Sequence, residues 1–201
     1  MKEITKSSRL LGQLEKLYRM INSDLFNGEL QPVTITVQST PRAYGHIVLG
    51  DAWSVKGEGS MELNIGAGTL DRPIEEVVAT LVHECCHLLN FQNGISDCSN
   101  RGVYHNKSFK ATAEAHGLIV TRSEKYGWAH TAPDEQLLAW ILKNDMPDIL
   151  MNRNEFRRAG GARSRPSSTR KLICPNCGLS VRATKTVNIL CGDCMVKMNE
   201  T

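Results

Sequence analysis

A chain of 201 residues that is 41% hydrophobic and 22% charged has the composition of an ordinary globular protein, with room for one main domain and a small appendage. No stretch approaches the roughly 20 apolar residues of a membrane span, and residues 1–17 mix charge with leucines, so neither membrane insertion nor export is expected and the cysteines should stay reduced in a cytoplasmic setting. The net charge of +3 is uneven: residues 1–150 hold 14 Lys+Arg against 18 Asp+Glu, a balance of −4, whereas residues 151–201 hold 10 against 3, a balance of +7.

Leu10, Leu11, Leu14, Leu17, Tyr18, Ile21 and Leu25 recur at helical spacing, which predicts an amphipathic helix over residues 8–26, stopped by Asn27-Gly28. Val33, Ile35 and Val37 alternate with polar residues as a strand does, and a second extended stretch runs from Tyr44 to Leu49. After a turn at Gly57-Glu58-Gly59, Met61, Leu63 and Ile65 form a third strand, read as an edge strand. Asp71 is placed to cap the next helix, with Pro73 in its first turn and Glu75 and Glu76 at its positive end. That helix runs to about Phe91, and a loop follows from Gly94 to Tyr104. Residues 106–116 read as a short helix closed by Gly117, and Pro133-Asp134-Glu135 opens a last one through about Lys143. Three segments result: a main domain over 1–150, a basic linker over 151–171 and a cysteine module over 172–201.

The central helix carries His83-Glu84-Cys85-Cys86-His87. At about 100° per residue the two histidines fall within roughly 40° of each other, one turn apart, so both imidazoles can reach one ion. Glu84 flanks that face, where a carboxylate can take a proton from water and pass it to a departing amine. Ile74, Val78, Leu81, Cys85, Leu88 and Leu89 lie on the opposite face, so the helix buries one side and offers the histidines on the other. A catalytic zinc takes three protein ligands and keeps one open position. His105 is the preferred third ligand, with Glu114 and His116 as rivals. Cys85 reads as core filler, and Cys86, beside the histidine face, as inert or as a thiol near the metal. Cys98 carries no assignment. His46 and His130 read as surface or hydrogen-bonded histidines, and Tyr104 and Tyr126 as packing residues or oxyanion donors.

Cys174-x-x-Cys177 and Cys191-x-x-Cys194 are two knuckles 13 residues apart, a spacing that suits a tetrahedral four-cysteine zinc site of structural type. A module this small has too little core of its own, so the metal would supply most of its stability. Val181, Val187 and Ile189 are its strand candidates. A basic tail on an acidic body points to a polyanion, nucleic acid foremost, against the plain reading of a solvated linker. The candidate contacts are Arg157, Arg158, Arg163, Arg165, Arg170, Lys171, Arg182 and Lys185.

These residues together resemble the SprT-like zinc metalloprotease family, which includes the Spartan proteases. The resemblance covers about the first 150 residues, with the zinc ribbon following as in bacterial SprT-like proteins. It rests on Leu25-Phe26-Asn27 at the end of the first helix, on His83-Glu84-Cys85-Cys86-His87, and on His105-Asn106-Lys107-Ser108-Phe109, where the family more often has His-Gly-Pro-x-Phe. It implies an α+β zincin-like domain with one catalytic and one structural zinc, and DNA-stimulated cleavage of DNA-bound or DNA-crosslinked proteins. Two other readings compete: a non-enzymatic DNA-binding or regulatory zinc protein, and a metallohydrolase with no nucleic-acid partner.

Overall fold

In the computed structural model the described residues are 4–154 and 170–200. They fall into two compact units, one within Met1–Glu155 and the other within Phe156–Thr201. The architecture is α+β.

The first unit opens with helix α1, Ser7–Leu25, whose Leu10, Leu14, Leu17, Tyr18 and Ile21 form one buried stripe. Asn27 and Gly28, both with positive φ (53° and 77°), turn the chain away from it. Strands β1 (Thr34–Gln38), β2 (Gly45–Val55) and β3 (Glu58–Gly66) follow in the order β1-β3-β2. β3 runs parallel to β1 and antiparallel to β2. The strand through Met61 and Ile65 is therefore central, not an edge. Its place between two neighbours matches its fully buried run from Leu63 to Gly66, and β2 takes the outer position. One face of the sheet packs Ile35, Leu63 and Ile65 against the helices. On the other, the Glu62 carboxylate accepts from Thr36 Oγ1 (2.7 Å), Gln38 Nε2 (3.1 Å) and Trp53 Nε1 (2.7 Å).

Helix α2, Ile74–Gln92, is buried along most of its length. Val77, Val78, Leu81, Val82, Cys85 and Leu88 are all fully covered, so this helix is the axis of the core. Its N-terminus departs from the sequence reading. Asp71 does not cap it; the Asp148 carboxylate does, accepting from the Ile74 N–H at 3.1 Å. Pro73 occupies the capping position and offers no side-chain acceptor, so the acceptor comes from a distant segment. That segment is strapped down by Asn152 Oδ1, which accepts from Leu70 N–H (3.2 Å), by Arg153 N–H on the Ala67 carbonyl (2.8 Å), and by a bridge between Ile4 and Ile149.

Beyond α2, the two-residue strands β4 (Cys98–Ser99) and β5 (Tyr104–His105) lead into α3, Lys107–Ala115, whose N-cap Asn106 accepts from Ser108 and Phe109 N–H. A hairpin of β6 (Leu118–Ser123) and β7 (Gly127–Pro133) follows, absent from the sequence reading, and then α4, Glu135–Lys143. The second sheet has the order β4-β5-β7-β6.

The second unit is a three-stranded antiparallel sheet, β10-β8-β9, from Arg170–Ile173 (β8), Ser180–Ala183 (β9) and Asn199–Glu200 (β10). Val181 lies in a strand, but Val187 and Ile189 do not. Among the described residues its buried cluster is Leu172, Cys174, Cys191 and Met198.

If Asp148 supplies the α2 cap, Asp148→Ala should cost about 1 kcal/mol in urea unfolding and Asp148→Asn much less, because the amide oxygen can still accept. Equal losses from the two would remove the capping role.

Candidate metal centres

α2 places His83 and His87 one turn apart, and β5 brings His105 to them. β5 is held by its backbone: the His105 N–H donates to the Tyr126 carbonyl at 2.9 Å, and His105 pairs with Gly127 of β7. Gly127 has φ +67°, and a Cβ there would collide with the His105 carbonyl oxygen. Only glycine lets the two strands pass this closely. The result is a convergence of three Nε2 atoms: His83–His105 3.2 Å, His83–His87 3.2 Å and His87–His105 3.1 Å. The fully buried Phe109 ring lies against all three imidazoles at 4.6, 4.6 and 4.7 Å between centroids.

The three nitrogens fit a cation. His87 Nδ1 is 2.7 Å from Asp97 Oδ2 and His83 Nδ1 is 3.1 Å from Thr131 Oγ1. In a metal-bound His87 the one remaining proton belongs on Nδ1, toward the carboxylate, and the Nε2 lone pair faces the other two rings. Lone pairs this close repel unless a positive charge sits among them. Tetrahedral zinc with Zn–N of about 2.0–2.1 Å requires nitrogens about 3.3–3.4 Å apart, close to what is seen. In the metal-free site two rings are ready donors, and His87 must first give up its Nε2 proton to a metal. Burial, with His87 close by, pushes His83 well below the usual histidine range and His105 down to about 4. Burial also works against the charged form of His87, but hydrogen bonding from Asp97 and Cys98 and the charge of Glu84 hold it up at about 10.

Glu84 is buried beside this group. Burial raises its carboxyl to about 7, with His87 and the Ile47 backbone pulling the other way. The approach of β2 depends on Gly45, where a Cβ would meet the Asn64 carbonyl oxygen at 2.9 Å and Glu84 Oε1 at 3.3 Å.

The rival ligands are engaged elsewhere. Glu114 pairs with Lys110 at 3.5 Å, while His116 donates from Nδ1 to the Thr112 carbonyl (2.7 Å) and stacks on Phe26 at 4.1 Å. Cys85 and Cys86 are fully covered, and burial pushes both thiols far up, so both are apolar filler. The Tyr104 hydroxyl accepts from Arg122 at 3.3 Å, Tyr126 lies under Lys125, and His46 stands 3.5 Å from Asn64. Three contributors have no sequence signal beyond their identity: Asp97, Thr131 and Gly127. In the sequence Gly127, next to Tyr126, reads as an ordinary turn residue until its partner strand is known.

In the second unit Cys174, Cys177, Cys191 and Cys194 bring their sulfurs within 4.8 Å of one another, with Cys177 and Cys191 at 3.6 Å. Tetrahedral zinc with Zn–S of about 2.3 Å places sulfurs about 3.8 Å apart. The two knuckles repeat one backbone pattern. Cys174 N–H donates to the Leu179 carbonyl and Gly178 N–H to the Cys174 carbonyl; Cys191 N–H donates to Val196 and Met195 N–H to Cys191. The residue after each second cysteine has positive φ, 74° at Gly178 and 52° at Met195. Backbone hydrogen bonding from Cys177 lowers the Cys174 thiol to about 7, while hydrogen bonding with Cys177 raises Cys194 to about 12. Four thiolates cannot coexist here without a cation to hold them.

Of the basic candidates, Arg157, Arg158, Arg163 and Arg165 lie outside the described residues. Arg170 is committed within its own unit, to Glu200 (3.1 Å) and Thr186 (2.5 Å). Lys171 and Arg182 stand opposite each other in the β8–β9 register, and Lys185 is exposed.

The fold and these sites define an α+β protein with a three-histidine group and a four-cysteine group, both compatible with zinc. The model of the SprT-like family matches residues 14–125, just over half of the chain and all three histidines, and the chain belongs to that family. Membership points to a metalloprotease-like function. No curated protein and no solved structure matches the chain. Among the described residues no helix is long and apolar enough to cross a membrane.

Two outcomes follow from this chemistry. With its folded value raised from 4.5 to about 7, Glu84 stabilises the metal-free fold fully below pH 4.5, and that contribution is lost as pH rises through 7. Glu84→Gln should therefore stabilise metal-free protein at pH 8 by about 3 kcal/mol and leave it nearly unchanged near pH 4.5, read by urea unfolding with tryptophan fluorescence. In the ribbon, Met195→Gly should relieve left-handed strain of about 1 kcal/mol and tighten zinc at the cysteines, since the Met195 side chain is 73% exposed and gives up little packing. A chelator competition measures it.

Proposed function

We propose that the protein is a zinc-dependent endopeptidase acting on DNA-associated proteins. The observation that carries the reading is the Glu84 carboxyl, buried beside three converging imidazoles and raised to about 7. A carboxyl with that value can accept a proton and return it near neutral pH. When bound, zinc supplies a Lewis acid for the scissile carbonyl and acidifies water. His83, His87 and His105 would hold the metal, and Glu84 would take a proton from the attacking water and pass it to the leaving amine.

Strand β2 supports a peptide substrate. It pairs with β3 alone among the described strands. The Ile47 backbone bonds to Glu84, and in an antiparallel strand the N–H and C=O of one residue point to the same side. The unpaired edge of β2 therefore borders Glu84, where an extended peptide can add as a further strand. A nucleic-acid partner is supported by the +7 balance of residues 151–201. Lys171 and Arg182, opposite each other and exposed on β8 and β9, add two cations to that surface. The four-cysteine zinc would be structural.

The test incubates zinc-loaded protein with a DNA-binding substrate protein, with and without single-stranded DNA. Cleavage should require DNA, fall at least about 100-fold in Glu84→Gln with both metals retained, and weaken steeply between roughly 50 and 200 mM salt. Cleavage indifferent to DNA would keep the peptidase and remove the role of the tail. No cleavage with metals and DNA bound would favour a binding protein.

A further inference from the structure

The three histidines are not supported alike. His105 Nδ1 is buried with no hydrogen-bond partner, His83 Nδ1 meets a neutral hydroxyl, and His87 Nδ1 meets a carboxylate. We propose that Asp97 is a positioning residue for His87, held by a buried relay from α3 through Asn90, and that it sets the metal affinity of the three-histidine site. The inference rests on those histidines holding a metal.

The relay has a defined direction. Thr112 Oγ1 on α3 donates to Asn90 Oδ1 at 2.7 Å. That fixes the Asn90 amide so that its Nδ2 points at Asp97 Oδ2, 3.0 Å away. The same Asp97 oxygen accepts from His87 Nδ1 at 2.7 Å. Asn90 is 1% exposed, Asp97 8% and His87 9%, so water does not compete for these bonds. The backbone around Asp97 is clamped as well. The Ile95 N–H donates to the Asn90 carbonyl (2.8 Å), the Asn106 N–H to the Asp97 carbonyl (2.9 Å), and Asn106 Nδ2 to the Ser96 carbonyl (2.8 Å).

A carboxylate in this place does two things. It keeps the last His87 proton on Nδ1, so that Nε2 is the nitrogen offered to a metal. It also makes that nitrogen a stronger donor, because charge withdrawn by a cation is returned through the ring. A purely structural Asp97 would hold the Ser96–Asn106 loop and leave the metal unaffected.

The experiment titrates cobalt and zinc into the full chain, wild type and variants, with the four-cysteine site as internal reference. Its thiolate-to-cobalt absorption should be identical in every variant. Asp97→Ala should lose zinc affinity at the histidine site by about 100-fold and shift the visible cobalt bands of that site. Asp97→Asn keeps an acceptor without the charge and should lose about 10-fold. If Asp97→Ala does not fold, Asp97→Asn decides. Affinity within about twofold of wild type, with unchanged cobalt bands, overturns the proposal for whichever variant folds. A wild-type chain that takes up only thiolate-bound cobalt would instead overturn the three-histidine metal site, and this inference with it.

Discussion

Three imidazole nitrogens held 3.1–3.2 Å apart are the constraint on which the first unit depends. Without a metal, the proton held on His87 lets its Nε2 approach the other two, and the fold must hold the three rings together from elsewhere. It does so from three directions. α2 fixes two histidines through its burial on nearly every side, β5 fixes the third through backbone bonds to Tyr126, and Phe109 fills the space behind all three. Preorganisation of this kind places the cost of assembling the site in the folding of the core, where hydrophobic burial offsets it.

The charges around the site follow from the same arrangement. Glu84 and His87 are both removed from water, and burial disfavours the charged form of each. They are kept by partners of opposite sign or by hydrogen bonds: His87 by Asp97, Glu84 by His87 and the Ile47 backbone. A cation at the histidines would draw Glu84 toward its ionised form. A bound cation would therefore hold that carboxyl below its metal-free value of about 7.

Local spacing makes part of this legible in the sequence. The one-turn separation of His83 and His87, the apolar face behind them and the two knuckles are short-range patterns, and each survives without knowledge of the fold. His105 is accessible through its neighbour Phe109, whose burial ties the segment to the core. The rest depends on pairings between distant segments. Asp148 caps a helix 74 positions away, which no window around Asp71 and Pro73 can reveal. The β6–β7 hairpin escapes a pattern reading because Leu118, Ile119 and Val120 are consecutive apolar residues, although Ile119 is 53% exposed between two buried neighbours. β3 reads as an edge because alternation reports which face of a strand is buried and says nothing of how many neighbours it has.

On the proposed reading, the two groups differ in how many ligands each would give a metal. Four cysteines can satisfy a tetrahedral ion completely, and the paired backbone bonds at Cys174 and Cys191 would tie the small sheet to it. Three histidines would leave a tetrahedral ion one position for an incoming group, and a titratable carboxyl and the outer strand β2 lie next to them. Softness of the ligands reinforces the split. Thiolates hold zinc tightly and damp its acidity, whereas neutral imidazoles leave more of its charge available to polarise a carbonyl. On that reading, exchanging the two ligand sets would leave the helix with a poor Lewis acid and the ribbon with a loosely held metal.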